Sequence, residues 1–346
     1  MEIRTLEKIA NFDSGREAVL CTQVAWRGSV PRKDYPMMLV DENGEIIGTI
    51  GGGALEHSVI NLANNIIITG KPVLKKFDMT NQDVTKSDSI CGGSTTILIE
   101  PYSKEIRNLL KSIVTEKTNS NNILITKILS QNDVIIERTK ITKDYDSVFP
   151  KKIVCGIDEG IEQKKSKSIN YNDELFLIQN IGRRPILHIF GAGHVGKAVA
   201  DLAQFIELDT KIYDKRKDLA SKERFPFASQ INNNDISRTI KGANIAQSDY
   251  VLVATRGHQH DFELMRWLLN VKIDYLSLMS SKKKWQLLSQ ALINDGFTQN
   301  QIHKVHSPVG FEIGSETVPE IAVSIIAEIV NHYRRGAKSA ISLSQL

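Results

Sequence analysis

The stretch Ile189-Phe190-Gly191-Ala192-Gly193-His194-Val195-Gly196 decides the fold of the C-terminal half of this chain. An apolar strand, 186–190, runs into it, and a helix carrying Ala198, Ala200, Leu202 and Ala203 runs out of it. A chain turning this tightly from strand to helix gathers free backbone N–H groups at one point, where they can hold a phosphate. Asp214 closes the next strand, 210–213, and stands 23 residues after Gly191. Dinucleotide-binding folds place there the carboxylate that accepts from a ribose hydroxyl. Strand, glycine turn, helix and carboxylate together predict a nucleotide-binding α/β fold. The alternative is a turn whose glycines only pack helix against strand.

The alternation continues downstream. Strands are predicted at 249–254 and 274–279, and helices at 261–269, 284–292 and 318–333, with Pro319 in the first turn of the last. Such alternation marks a parallel sheet covered on both faces, so 183–346 reads as a Rossmann-like doubly wound parallel sheet. Upstream, 18–26, 37–40, 45–50 and 95–100 read as strands, with a hairpin turn at Asp41-Glu42-Asn43-Gly44 and a helix over 54–68. Residues 1–103 are thus an N-terminal α+β domain. Residues 104–182 read as a connecting α/β segment. It has a helix at 104–116, strands at 123–129, 134–139 and 174–179, a Gln131-Asn132-Asp133 turn and an exposed lysine-rich loop at 163–167. No chemistry is legible in it.

With 346 residues, 41% hydrophobic and 24% charged, the chain has the composition of a soluble globular protein of two or three domains. A net charge of +4 with scattered lysines and no arginine stripe does not point to nucleic acid. No 18-residue apolar run and no signal-peptide core are present, so a cytoplasmic protein without a membrane partner is expected. Cys21, Cys91 and Cys155 have neither disulfide-framework nor zinc-ribbon spacing.

Three places carry residue types suited to ligand chemistry. Gly51-Gly52-Gly53 opens onto a helix with Glu56 in its first turn. Cys91-Gly92-Gly93 opens onto a strand. Glycine lets a ligand approach the backbone closely, so both can wrap an anionic or planar group, although tight turns use the same residues. A thiol beside two glycines can gain thiolate character and offer a soft metal ligand, which makes Cys91 a metal candidate; a small buried hydrophobe is the plainer reading. Thr255-Arg256-Gly257-His258-Gln259-His260-Asp261 follows a strand end, where α/β sheets bind ligands. There Arg256 and His258 read as a polar rim of the nucleotide cleft, with Asp261 capping the next helix. His258, His260 and Asp261 do not make a complete metal-ligand set.

These motifs together resemble the xanthine dehydrogenase accessory protein family of the XdhC/CoxI type. GSVPR (28–32), the 37–40 strand, GTIGGGALE (48–56) and CGG (91–93) through Ile99-Glu100-Pro101 are similar to the family's N-terminal domain. FGAGHVG (190–196), Tyr213-Asp214-Lys215-Arg216, RFP (224–226), TRGHQHD (255–261) and the 306–329 stretch resemble its Rossmann domain. The resemblance implies binding of the molybdenum cofactor, as molybdopterin or its cytosine dinucleotide, and its delivery to a xanthine dehydrogenase-like or carbon monoxide dehydrogenase-like hydroxylase. It also implies protection of the cofactor while a cysteine desulfurase installs the sulfido ligand, by a homodimeric chaperone. On this reading Gly51, Gly52, Gly53, Glu56, Cys91, Gly92 and Gly93 face the pterin and molybdenum end. Gly191, Gly193, His194, Gly196, Asp214, Arg216, Arg256 and His258 serve a phosphate or dinucleotide end. The chain departs from the pattern at Lys33 to Pro36, where relatives place a glycine, and at Ser277 to Lys282, which replaces a segment usually carrying two glycines and an arginine.

The first reading is therefore a non-catalytic cofactor-handling protein. The alternative is an NAD(P)-dependent oxidoreductase, because Gly191, Gly193, Gly196 and Asp214 suit that cofactor equally, with Lys215 and Arg216 admitting a 2′-phosphate. A redox or nucleotide sensor acting through partner contacts is a third reading.

Overall fold

The computed structural model describes residues 3–12, 15–79, 92–115, 122–130, 134–141, 145–163, 165–181 and 185–335. They form two compact units, 1–183 and 184–346, so the 104–182 segment shares a unit with the N-terminal segment.

The first unit begins with α1 (Ile3–Ala10), β1 (Ala18–Arg27), β2 (Met37–Asp41), β3 (Ile46–Gly48), α2 (Gly53–Thr69), β4 (Val73–Asp78) and β5 (Ser94–Pro101). Its antiparallel sheet has the order β3-β2-β1-β5-β4. Side chains alternate along a strand, and β1 buries both faces. Val19 and Cys21 join Met38, Val40, Ile97 and Ile99 under Leu55, Val59 and Ala63 of α2. Leu20 and Val24 face the other way, into clusters with Leu124, Ile128 and Leu177. Those last residues belong to the remainder of the unit: α3 (Lys104–Thr115), β6 (Ile123–Ser130), β7 (Val134–Ile141), α4 (Lys151–Glu162), β8 (Lys167–Tyr171) and β9 (Glu174–Asn180). They build a second antiparallel sheet, β7-β6-β9-β8. Helix α4 is absent from the sequence reading because Gly156 and Gly160 weaken its local signal. The structure shows their place: a Cβ on Gly156 would stand 2.4 Å from Ile169 Cδ1, so glycine there lets the helix lie close on its sheet without displacing that side chain.

The second unit alternates β10 (Leu187–Phe190), α5 (His194–Phe205), β11 (Thr210–Tyr213), β12 (Gln230–Asn232), α6 (Ile236–Gly242), β13 (Tyr250–Val253), α7 (His258–Leu268), β14 (Tyr275–Leu278), α8 (Lys282–Asn294), α9 (Gln299–Ile302), β15 (Val305–His306) and α10 (Val318–Arg335). Its sheet is parallel with the order β12-β11-β10-β13-β14-β15. The chain runs from β10 to one edge, returns beside β10 as β13, and runs to the other edge. This is the doubly wound Rossmann arrangement, whose crevice opens at the C-terminal ends of β10 and β13. Apolar residues of α5 and α10 cover one face and those of α7 and α8 the other. No described helix is long and apolar enough to cross a membrane.

Candidate functional site

Three loops of the first unit leave one end of its five-stranded sheet. The registers Arg27↔Ser94, Thr22↔Met37 and Met38↔Gly48 require that β1 and β3 end there and that β2 and β5 begin there. GSVPR (28–32) packs between the other two loops. A Cβ on Gly93 would stand 2.3 Å from the Ser29 carbonyl oxygen, and one on Gly51 3.0 Å from Pro31 Cβ. Gly51–Gly53 and Gly92–Gly93, remote in sequence, thus share one neighbour. Gly52, Gly53 and Gly92 have φ of +75°, +63° and +65°, with open space where a Cβ would be. Cys91 and the polar loop expected over 81–89 lie outside the described residues; Met79 and Gly92, joined by a hydrogen bond of 3.2 Å, stand close to its two ends.

Glu56 organises the first glycine turn. Its Oε2 accepts from Thr49 Oγ1, from the Ile50 N–H at 3.2 Å and from the Gly52 N–H at 3.2 Å. Thr49 Oγ1 in turn accepts from the Gly51 N–H at 3.1 Å. The Ile50 and Gly52 N–H groups are therefore aimed at the chain's own carboxylate, while the start of α2 has no side-chain cap. What the turn leaves bare is its glycine backbone.

The second glycine turn borders a cavity of about 350 Å³. Phe190, Gly191, Tyr213, Asp214, Arg216 and Arg256 are among its lining residues. Rings of Phe190 and Tyr213 stack with centroids 4.5 Å apart. Asp214 accepts the Ala192 N–H at 2.8 Å, the Arg216 N–H at 3.0 Å, and Arg216 Nε and Nη2 at 2.9 and 2.5 Å. Burial raises the Asp214 carboxyl, but the hydrogen bonds from Arg216 and Ala192 outweigh it and hold the group below its usual value. Gly191 has φ +121°, and a Cβ there would stand 2.3 Å from the Ala254 carbonyl oxygen. On Gly196 a Cβ would stand 2.0 Å from the Gly191 carbonyl oxygen. These two glycines close the turn against β13 and α5. Gly193 is different: it precedes His194, the first residue of α5, and a Cβ there would meet open space.

Beside the cleft, His258 opens α7 and His260 joins Arg256 on the cavity lining. Asp261 does not cap that helix. The capping position belongs to Gly257, and the buried Asp261 carboxylate instead accepts from Thr255 Oγ1 at 2.5 Å and from Lys284 Nζ of α8. Nor do the serines at 277 and 280 enter the cleft: Ser277 Oγ donates to the Val251 carbonyl and Ser280 Oγ pairs with Ser307 Oγ. Among the described residues no group of three or more His, Cys, Asp or Glu is placed to hold a metal ion.

Sequence reasoning missed a buried chain behind the cleft. His188 of β10 lies between Tyr213 Oη, 2.9 Å from Nδ1, and Asp249 Oδ2, 3.2 Å from Nε2. Asp249 also accepts from the Ile186 and Ala246 N–H groups. Burial, aided by Asp249, pushes the Tyr213 phenol up to about 12. The signal was available: a histidine inside an apolar parallel strand needs buried partners. A similar clamp lies at the far edge, where Glu328 of α10 accepts from the Gly310 N–H at 2.5 Å and pairs with His306 Nδ1 at 2.5 Å.

Comparison with known proteins agrees with this fold. A family model described as the XdhC Rossmann domain matches residues 187–329, and one described as the XdhC and CoxI family matches 12–78. A Bacillus subtilis (strain 168) protein, named as a probable subunit of xanthine dehydrogenase, is 25% identical over 330 residues, 95% of this chain and 97% of its own length. The Escherichia coli (strain K12) protein YqeB, named as uncharacterized, is 26% identical over 305 residues; these are 88% of this chain but only 41% of that protein. The crystal structure of a protein titled a xanthine dehydrogenase from Bacillus halodurans matches with a TM-score of 0.81 and 25% identity, over 99% of this chain and 98% of that one.

Proposed function

Because this chain belongs to the XdhC and CoxI family, we propose that it is an accessory protein that binds the molybdenum cofactor and hands it to a xanthine dehydrogenase-type or carbon monoxide dehydrogenase-type hydroxylase. The observation that carries this reading is the meeting of GSVPR, Gly51–Gly53 and Gly92–Gly93 at one end of the first sheet. Side chains are missing where a planar group would lie: Gly52, Gly53 and Gly92 leave open the space a Cβ would fill. A pterin, broad and flat, fits such a surface. Glu56 holds the turn rigid, so the surface exists before the ligand arrives. Cys91, next to Gly92, is assigned to the molybdenum end, where a thiolate is a suitable soft ligand. The cofactor supplies redox chemistry to the hydroxylase; this chain's part is to hold it, shield it from water while a cysteine desulfurase completes it, and release it as a homodimer. The second unit's cleft is assigned to a nucleotide.

Purification from a host that makes the cofactor tests the reading. Molybdenum in a fixed ratio to chain, with a pterin found by mass spectrometry, is expected, together with no xanthine turnover by the protein alone. NAD(P) as the sole copurifying ligand, or steady xanthine oxidation by pure protein, contradicts it.

A further inference from the structure

We infer that the cleft of the second unit selects a nucleotide whose ribose carries a phosphomonoester, such as a 2′-phosphate, over one with a free ribose diol. The inference rests on the reading of that cleft as a nucleotide site and adds which nucleotide it takes.

A free ribose diol is recognised by a carboxylate with acceptor capacity to spare. Asp214 stands where that carboxylate belongs, but its capacity is used. An ionised carboxylate offers about four acceptor positions, and the Ala192 N–H, the Arg216 N–H, and Arg216 Nε and Nη2 occupy them. A diol arriving at Asp214 would have to displace a charge-assisted pair. Three cationic side chains stand on the same lining. Arg216 keeps Nη1 for a ligand, and its side chain stays 32% exposed. Lys215 and Arg256 line the same cavity, and neither has a side-chain partner among the described residues. Of the carboxylates on the lining, Asp214 is neutralised by Arg216, and Asp235 accepts the Arg238 N–H at 2.8 Å as the cap of α6. With Asp214 and Arg216 paired, Lys215 and Arg256 remain on the lining beside the carboxylates of Asp235 and Glu263. A guanidinium fixed by its own carboxylate is oriented to meet phosphate oxygens with the donors it has left. A volume of about 350 Å³ lies in the range of small-ligand pockets, and the stacked Phe190 and Tyr213 rings give it an apolar wall.

Calorimetric titration of the full chain with NADP⁺, NAD⁺, 2′-AMP and 5′-AMP tests this without any substitution. At least tenfold tighter binding is expected for NADP⁺ over NAD⁺ and for 2′-AMP over 5′-AMP. Arg216→Ala removes the phosphate partner and releases Asp214, so it should weaken NADP⁺ tenfold or more while strengthening NAD⁺. Arg216→Lys, which keeps the charge but not the fork, should fall between. Melting curves of both variants confirm that they are folded, and the comparison of ligands on the unaltered chain stands whatever they show. Equal binding of NADP⁺ and NAD⁺ overturns the inference and leaves the nucleotide reading intact. Binding of none of the four at millimolar concentration overturns both.

Discussion

The two glycine turns, Gly51–Gly53 and Gly191–Gly196, look alike in sequence and end differently in structure. Each leads into a helix, and each offers backbone N–H groups to a carboxylate of the same chain. In the first turn the carboxylate is local: Glu56, inside the helix that follows, folds back on the Ile50 and Gly52 N–H groups. In the second it is remote: Asp214 follows the neighbouring strand, takes from the turn only the Ala192 N–H, and is itself held by Arg216. The first turn spends its Ile50, Gly51 and Gly52 N–H groups on its own side chains and is bare as a surface. The second spends only the Ala192 N–H on that carboxylate and borders a cavity whose lining includes Lys215, Arg216 and Arg256. A glycine run before a helix therefore does not by itself specify an anion site, because carboxylates of the same chain take some of its N–H groups.

The largest effects should come from the glycines that close the second turn. Gly196→Ala sets a Cβ against the Gly191 carbonyl, a backbone atom that cannot move aside. It should cost more than about 4 kcal/mol or abolish the cooperative melting of that unit. Gly193→Ala, at a position with open space, should stay within about 1 kcal/mol. Similar melting temperatures for the two would break the contrast within the turn.

Next comes the carboxylate of the first turn. Glu56→Ala leaves the Thr49 hydroxyl and the Ile50 and Gly52 N–H groups without their acceptor and should cost about 2–3 kcal/mol in denaturant unfolding. An effect below about 0.5 kcal/mol, the size of an ordinary surface substitution, would show that water serves the turn equally well.

Asp214 makes the corresponding prediction for the second turn through pH. Its folded carboxyl lies below its ordinary value. Its contribution to stability is therefore full above the unfolded value of about 3.9 and is lost as pH falls through the folded one. Asp214→Asn should flatten that part of the acid stability profile of the second unit. An unchanged acid slope would mean that the Arg216 pair is not formed in solution.

Smallest of these is Tyr213→Phe, which leaves His188 Nδ1 buried without its phenol and should cost about 1–2 kcal/mol. Because the folded phenol titrates near 12, above the unfolded value of about 10, its contribution is present below pH 10 and lost as pH rises toward 12. The Phe variant should lack that alkaline loss.

Much of the second unit was legible because its signals are local. Strand, glycine spacing, helix and Asp214 all fall within one stretch, and strand–helix alternation names the sheet. What stayed hidden depends on contacts between segments distant in sequence. Asp261 reads as a cap from its place before a helix, yet its partner Lys284 lies on another helix. The Asp214–Arg216 pair is close in sequence, but only the turn's approach through Ala192 shows that the carboxylate is filled. In the first unit, GSVPR and Gly92–Gly93 were separate motifs until the antiparallel register brought them to one sheet end. The role of residues 104–182 was illegible for the same reason: Leu124, Ile128 and Leu177 matter as the cover of β1, and no local pattern says so.

The central claim is that the two turns serve two different ligands, and one paired measurement tests it. Molybdenum retained per chain and NADP⁺ affinity are measured on the unaltered protein, on Gly92→Asn and on Gly193→Val. Gly92 has a φ that asparagine tolerates and Gly193 lies in open space, so both variants should fold. Gly92→Asn is predicted to lose molybdenum and keep NADP⁺, and Gly193→Val to lose NADP⁺ and keep molybdenum. Loss of both ligands, or of neither, in either folded variant would contradict the account.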